Sequence, residues 1–183
     1  MGVSSKVKAV FLDRDGVINK AIVVNGQPYP PSSIEEMVIL IGVKEGIDLL
    51  KKNGYLIFVV TNQPDVARGK TPIEKVVEIN LFLEKEFSID EVYCCYHDGK
   101  EGCFCRKPKP GMILEASLKW NIDLKNSYII GDRWRDIEAG KSASISTILI
   151  DYKYLEKRVE ADYCCSNFSE AVTYILKSNN HKN

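Results

Sequence analysis

Two carboxylates separated by one residue, Asp13-Arg14-Asp15-Gly16, follow directly on the apolar run Lys8-Ala9-Val10-Phe11-Leu12. Such a run reads as a strand buried on both faces. Acids at the end of a buried strand are costly without a compensating charge, and a bound cation or phosphate is the natural one. The bland alternative is a polar turn, since Asp and Gly favour turns. Other groups weigh against it: Thr61-Asn62-Gln63 after a second apolar run, Arg106-Lys107, and Gly131-Asp132 after a later run. Cleavage of a phosphomonoester needs this set. Asp13 is the candidate nucleophile, forming an aspartyl-phosphate that divides one difficult step into two. Asp15 is the candidate acid and base, protonating the leaving alkoxide and then deprotonating water. Thr61 and Asn62 offer donors to phosphoryl oxygens, and Lys107 offers positive charge. Asp13, Asp15 and Asp132, with a backbone carbonyl in the set, are candidate ligands for Mg²⁺, which prefers oxygen. For Asp136, one helical turn after Asp132, the bland alternative is a solvated helix residue, with direct metal ligation the weaker option.

A second constellation is Cys95-x-His97 followed by Cys103-x-Cys105. Three thiolates and an imidazole are the ligand set of a closed structural zinc site. Asp98-Gly99 and Gly102 permit the tight turn that the short spacer demands. A closed site leaves no position for substrate, so zinc would stiffen the loop, residues 94–107, that presents Arg106 and Lys107. Cys94 reads as a core residue, Cys164 and Cys165 as buried free thiols, and His181 as a tail residue without a role.

These groups need a scaffold that collects strand ends. Strands are expected at 8–12, 55–60, 91–95, 127–130 and 146–150, with a weaker one near Tyr163. Helices are expected at 43–52, at 73–87 with Ile73, Val76, Val77 and Leu81 inward, at 111–120, 135–142 and 169–177. Thr71-Pro72-Ile73-Glu74 has the form of a capping box. Residues 20–31, rich in Gly and Pro, read as a loop, and 178–183 as a polar tail. Alternating strands and helices predict an α/β fold, a doubly wound parallel sheet whose ligands sit beyond the carboxyl ends of its strands.

Composition agrees. The 183 residues, 45% hydrophobic, suit a single domain spanning 1–183, and 25 basic residues balance 25 acidic ones. Such a balance argues against a nucleic-acid partner or a polybasic membrane patch. The N-terminus lacks an apolar signal region, and Gly2 with Ser5 matches a myristoylation pattern only loosely. The chain therefore reads as cytoplasmic, membrane-free and monomeric. Four of the six cysteines crowd around one histidine, which suggests metal binding over disulfides.

The ordered elements Asp13-Arg14-Asp15-Gly16, Thr61-Asn62, Lys107 and Gly131-Asp132 resemble the haloacid dehalogenase superfamily of phosphohydrolases across nearly the whole chain, and Asp136 also fits that family's last acidic motif. The resemblance implies a Rossmann-like fold with a minimal cap and Mg²⁺-dependent phosphatase activity. The zinc loop narrows it to the branch of D-glycero-D-manno-heptose 1,7-bisphosphate phosphatases and histidinol phosphatases. Thr61-Asn62-Gln63, Val66-Ala67-Arg68-Gly69 and Cys105-Arg106-Lys107-Pro108 look more like the heptose enzymes; the short spacer from His97 to Cys103 looks more like the histidinol enzymes. By this resemblance the substrate is a small phosphosugar, contacted by Asn19, Asn62, Gln63 and Arg106. Competing classes are a phosphate-accepting receiver domain, which places its acceptor after a middle strand, a phosphosugar mutase, which needs a larger cap, and a catalytically dead zinc module.

Overall fold

A computed structural model describes residues 6–180. Six parallel strands form one sheet in the order β5-β4-β1-β6-β7-β8: β1 Lys8–Leu12, β4 Tyr55–Asn62, β5 Glu91–Cys95, β6 Tyr128–Gly131, β7 Ser146–Ile150 and β8 Tyr163–Cys165. From β1 the chain builds outward through β4 and β5, then returns to β6 on the other side and builds outward again. The strand order thus reverses at β1, which is where open α/β sheets form their ligand crevice.

Strand side chains alternate between two helical layers. Val10 and Leu12 of β1 pack with Ile47 and Leu50 of α1 (Val43–Lys52), Ile79 and Leu83 of α2 (Ile73–Phe87), and Phe168 and Val172 of α5 (Phe168–Asn180). Ala9 and Phe11 pack on the opposite face with Met112, Ile113 and Ala116 of α3 (Gly111–Trp120) and Ala139 of α4 (Trp134–Ser142). Both faces of β1 are fully covered, as its uninterrupted apolar run requires.

Several local expectations are corrected. Residues 20–31 contain a two-stranded antiparallel hairpin, β2 Ile22–Val24 with β3 Gln27–Tyr29. Asn25 and Gly26, at φ 50° and 73°, form its two-residue turn, for which Asn-Gly is the strongest short-range signal. Thr71 forms no capping box, because α2 starts after Pro72 with no side-chain cap bond. The inward face of α2 is Val76, Ile79, Asn80, Leu83 and Phe87; Ile73, Val77 and Leu81 are exposed. Cys164 is exposed and Cys165 buried. The expected tail is helical as far as Asn180, whereas residues 181–183 and the N-terminal pattern at Gly2 and Ser5 lie outside the described residues. No described helix is long and apolar enough to cross a membrane.

Candidate active site

Three neighbouring strands, β4, β1 and β6, end side by side and carry Thr61-Asn62, Asp13 and Asp132. Asp13 Oδ1 accepts a hydrogen bond from the Arg14 backbone N–H at 2.7 Å and an ion pair from Lys107 Nζ at 2.9 Å. Lys107 is itself buried and pairs at 2.5 Å with Asp136 Oδ1. Asp136 is 1% exposed, and its other oxygen accepts the Arg133 backbone N–H at 3.0 Å. The solvated-helix reading of Asp136 is therefore corrected. The first turn of α4 folds it back beneath Gly131, where a Cβ would stand 2.1 Å from the Asp136 Cβ.

Asp13, Asp132 and Asp136 converge so that one oxygen of each lies within 4.8 Å of the others. All three are buried. Neither carboxylate oxygen of Asp132 has a hydrogen-bond partner of normal geometry among the described residues, with the Tyr154 hydroxyl nearby. Burial, and next the charge of Asp136, push Asp13 up to about 7. Burial and the Asp13 charge likewise raise Asp132 well above the usual carboxylate range. Burial alone would lower the Lys107 ammonium, but the charges of Asp13 and Asp136 overcome it and push it up to about 12. One lysine against three acids leaves a buried excess of negative charge. A hard divalent cation fits that donor set: oxygens alone, two of them without partners. Gly16, at φ 94°, makes room for the cluster, since a Cβ there would lie 1.9 Å from Asp132 Oδ2.

Asp15 is held apart from these acids by its own donors. Arg14 Nε reaches both of its oxygens at 3.2 Å and Nη2 pairs at 3.1 Å. Asn19 Nδ2 donates at 3.0 Å and Gln63 Nε2 at 2.8 Å. Arg14 is fully buried, with Asn80 Oδ1 on its Nη1. No sequence signal separated this arginine from a solvated one, because the partner Asn80 arrives from α2. Thr61 is buried, its Oγ1 accepting Gln63 Nε2 at 2.9 Å. Asn19, Gln63 and Thr61 thus stand behind Asp15, whereas Asn62 and Arg106 line a cleft of about 240 Å³ with Asp13, Asp15, Lys107 and Asp136. Asn62 holds the Lys107 main chain reciprocally, donating to its carbonyl at 3.0 Å and accepting its N–H at 3.1 Å. Gln27 to Pro30 of the hairpin form one wall of the cleft. A strap braces that hairpin: Gln27 Nε2 donates to the Leu155 carbonyl at 2.7 Å, and Leu155 N–H to that of Gly26 at 3.2 Å.

The cysteine loop brings its four side chains together. Cys95 Sγ lies 3.5 Å from His97 Nδ1 and 3.7 Å from Cys103 Sγ, and Cys105 Sγ lies 3.2 Å from Cys95 and 3.3 Å from His97. Tetrahedral zinc, with Zn–S bonds of about 2.3 Å, sets its ligand atoms about 3.6–3.8 Å apart, so this cage fits the ion with slight expansion. Burial pushes the Cys95 thiol up, a cost that coordination reverses by holding the thiolate. Asn62 pairs in register with Cys95, whose carbonyl takes the Gln63 N–H at 2.7 Å. Arg106 Nη1 donates to the His97 carbonyl at 2.8 Å. The cage is therefore one residue away from the cleft on both its strand and its loop side.

The family model described as HAD-hydrolase-like matches residues 104–171. The D-glycero-α-D-manno-heptose-1,7-bisphosphate 7-phosphatase of Campylobacter jejuni is 38% identical over 86% of this chain and 88% of its own. The β-anomer enzyme of Helicobacter pylori is 34% identical over 92% and 97%. A solved structure of the D,D-heptose 1,7-bisphosphate phosphatase of B. bronchiseptica, complexed with magnesium and phosphate, superposes with a TM-score of 0.81 at 26% identity, covering 93% of this chain and 99% of that one. The chain is a phosphatase of the haloacid dehalogenase superfamily and belongs to the family of the heptose-1,7-bisphosphate 7-phosphatases.

Proposed function

We propose that the protein removes the 7-phosphate of D-glycero-D-manno-heptose 1,7-bisphosphate through an aspartyl-phosphate on Asp13. The observation that carries this reading is the pairing of Asp13 and Asp136 with Lys107 in an arginine-lined cleft, with an oxygen of Asp132 within 4.8 Å of theirs. Asp13 Oδ1 is committed to the Arg14 N–H and to Lys107, which leaves Oδ2 as the attacking atom. As Oδ2 bonds to phosphorus, the P–O bond to the sugar breaks and Asp15 gives its proton to the departing alkoxide. Asp15 then takes a proton from the water that cleaves the aspartyl-phosphate, releasing phosphate and restoring Asp13. Arg14, Asn19 and Gln63 orient Asp15 for both transfers. Asp13 and Asp132, with Asp136 behind Lys107, would hold Mg²⁺, which supplies the positive charge that lets an anionic nucleophile meet an anionic phosphate. Lys107 adds its charge on the same side.

Charge favours a bisphosphate over histidinol phosphate. Of the four arginines that line the cleft, Arg68 and Arg133 are paired with Asp65 and Glu156, but Arg106 and Arg135 have no carboxylate partner among the described residues, and their guanidinium groups repel the ammonium of a histidinol ester. With Mg²⁺ present, phosphate release from the heptose bisphosphate is expected at a kcat/KM at least about 100-fold above histidinol phosphate, about 2.7 kcal/mol of discrimination. Equal or lower release would overturn the substrate assignment.

The Cys95, His97, Cys103 and Cys105 cage serves, in this reading, to hold one zinc ion that fixes Arg106 and Lys107. Cys103→Ser is expected to reduce bound zinc measured by elemental analysis from one per chain towards none. It should also lower kcat/KM about 10- to 100-fold, the usual cost of loosening a metal-anchored shell. Zinc loss with unchanged turnover would show that the loop holds its shape alone.

A further inference from the structure

Four arginines line the cleft, and two of them are neutralised within the protein. Arg68 pairs with Asp65 at 3.0 Å. Arg133 forks onto Glu156, Nε to Oε2 at 3.0 Å and Nη2 to Oε1. Arg106 and Arg135 differ: among the described residues, no carboxylate lies within ion-pair distance of either. Arg106 is steered by the His97 carbonyl at 2.8 Å, and the Arg135 guanidinium carbon sits 5.0 Å from the centre of the Trp134 ring. A cation over an aromatic face is held there by attraction to the ring, with its N–H groups still able to bond an anion. Burial first, then the charge of Arg133, lowers the Arg135 pKa, while the charges of Glu156 and Asp136 oppose the shift without reaching ion-pair distance. The phosphate under attack does not require these two groups, since Lys107 and the cation site already face it. Their uncompensated charge matches a second anion on the same ligand.

We propose that Arg135, together with Arg106, holds the phosphate that is not cleaved, so that Arg135 sets the preference for doubly phosphorylated sugars over monophosphates. The assignment rests on the phosphatase reading of this cleft and adds to it the residue that reads the distal group. A planar fork can bond a phosphate through two donors at once, and such charge-assisted bonds contribute more than neutral ones. A lysine at position 135 would keep the charge but lose the fork.

The test is steady-state kinetics of the full chain with Mg²⁺ and bound zinc, comparing heptose 1,7-bisphosphate with heptose 7-phosphate. Arg135→Gln is expected to lower kcat/KM for the bisphosphate about 10- to 100-fold, mainly through KM. Turnover of the monophosphate should change by less than about threefold, and Arg135→Lys should restore part of the loss. Equal losses on both substrates would mark Arg135 as merely structural, and no loss on the bisphosphate would remove it from the site; either overturns the assignment. Fructose 1,6-bisphosphate and fructose 6-phosphate form a second pair. If the heptose substrates prove poor, the heptose reading fails, and this pair still decides whether Arg135 reads a distal phosphate. A wild-type protein with no preference for either bisphosphate over its monophosphate overturns the proposal outright.

Discussion

Asp13→Asn is expected to lower kcat by about 10⁴-fold or more, as loss of a covalent nucleophile does elsewhere, while the metal-free fold becomes more stable. The asparagine keeps an oxygen for the Arg14 N–H and Lys107, so the contacts made by Asp13 Oδ1 survive. What disappears is a buried charge. In the metal-free protein, burial and Asp136 hold Asp13 at about 7, against about 3.9 for an unfolded aspartate. Below about pH 4 the group is protonated in both states and has no effect on folding. As pH rises from about 4 to 7, the unfolded chain gives up its proton first, so folding stability is progressively lost. The variant lacks that loss. Urea midpoints of metal-free protein should favour Asp13→Asn slightly at pH 5 and by up to about 4 kcal/mol at pH 7.5, the upper limit for a shift of about three units. Mg²⁺ should then stabilise the wild type more at the higher pH, because the cation competes with protons for the same oxygens. A variant less stable than wild type at pH 7.5 would show that Asp13 is not a destabilising buried acid, and residual turnover above about 1% would show that it is not the nucleophile.

The acids at the strand ends were legible because a β-strand that is apolar on both faces announces its own burial, and Asp13 and Asp132 terminate such runs. The packing of their neighbours was not, for reasons of distance. Asp136 could be matched to an acidic motif by resemblance, but its burial could not be read: it lies on a helix whose outward spacing looks solvated, and the close approach of Gly131, with no side chain in the way, lets it turn inward. The α2 helix carries two apolar stripes, Ile73-Val77-Leu81 and Val76-Ile79-Leu83, and the position of the sheet alone decides which is buried. Arg14 is fully buried yet ionic in its contacts. Its burial depends on Asn80 sixty-six residues away, which no local pattern encodes. The cysteine cage was readable from ligand type and spacing because a metal site is itself a local code. Arg135 stands at the start of α4 like many surface arginines, and only the meeting of α4 with the zinc loop turns it towards the cleft.

Lys107→Met carries the largest expected structural effect. A lysine at a loop tip would ordinarily be solvated, and its removal would change stability by less than about 0.5 kcal/mol. Here the ammonium is buried between Asp13 at 2.9 Å and Asp136 at 2.5 Å, while the isosteric methionine fills the space without the charge. Removing one member of a buried ionic group leaves the rest uncompensated, at a cost of about 3–5 kcal/mol. In metal-free protein the loss should therefore appear at full size in the urea midpoint, and Mg²⁺ should recover part of it by supplying charge to the same carboxylates. Adding Asp136→Asn should recover more, because it removes the acid that Lys107 no longer answers. The two changes should be non-additive by at least about 1 kcal/mol, as expected for residues in direct contact. Turnover behaves differently. The lysine charge faces the phosphoryl oxygens in the transition state, so kcat should fall about 10²- to 10³-fold and remain low when Mg²⁺ or Asp136→Asn restores stability. Additive stability effects, or recovery of kcat along with the fold, would reduce Lys107 to a structural counter-ion.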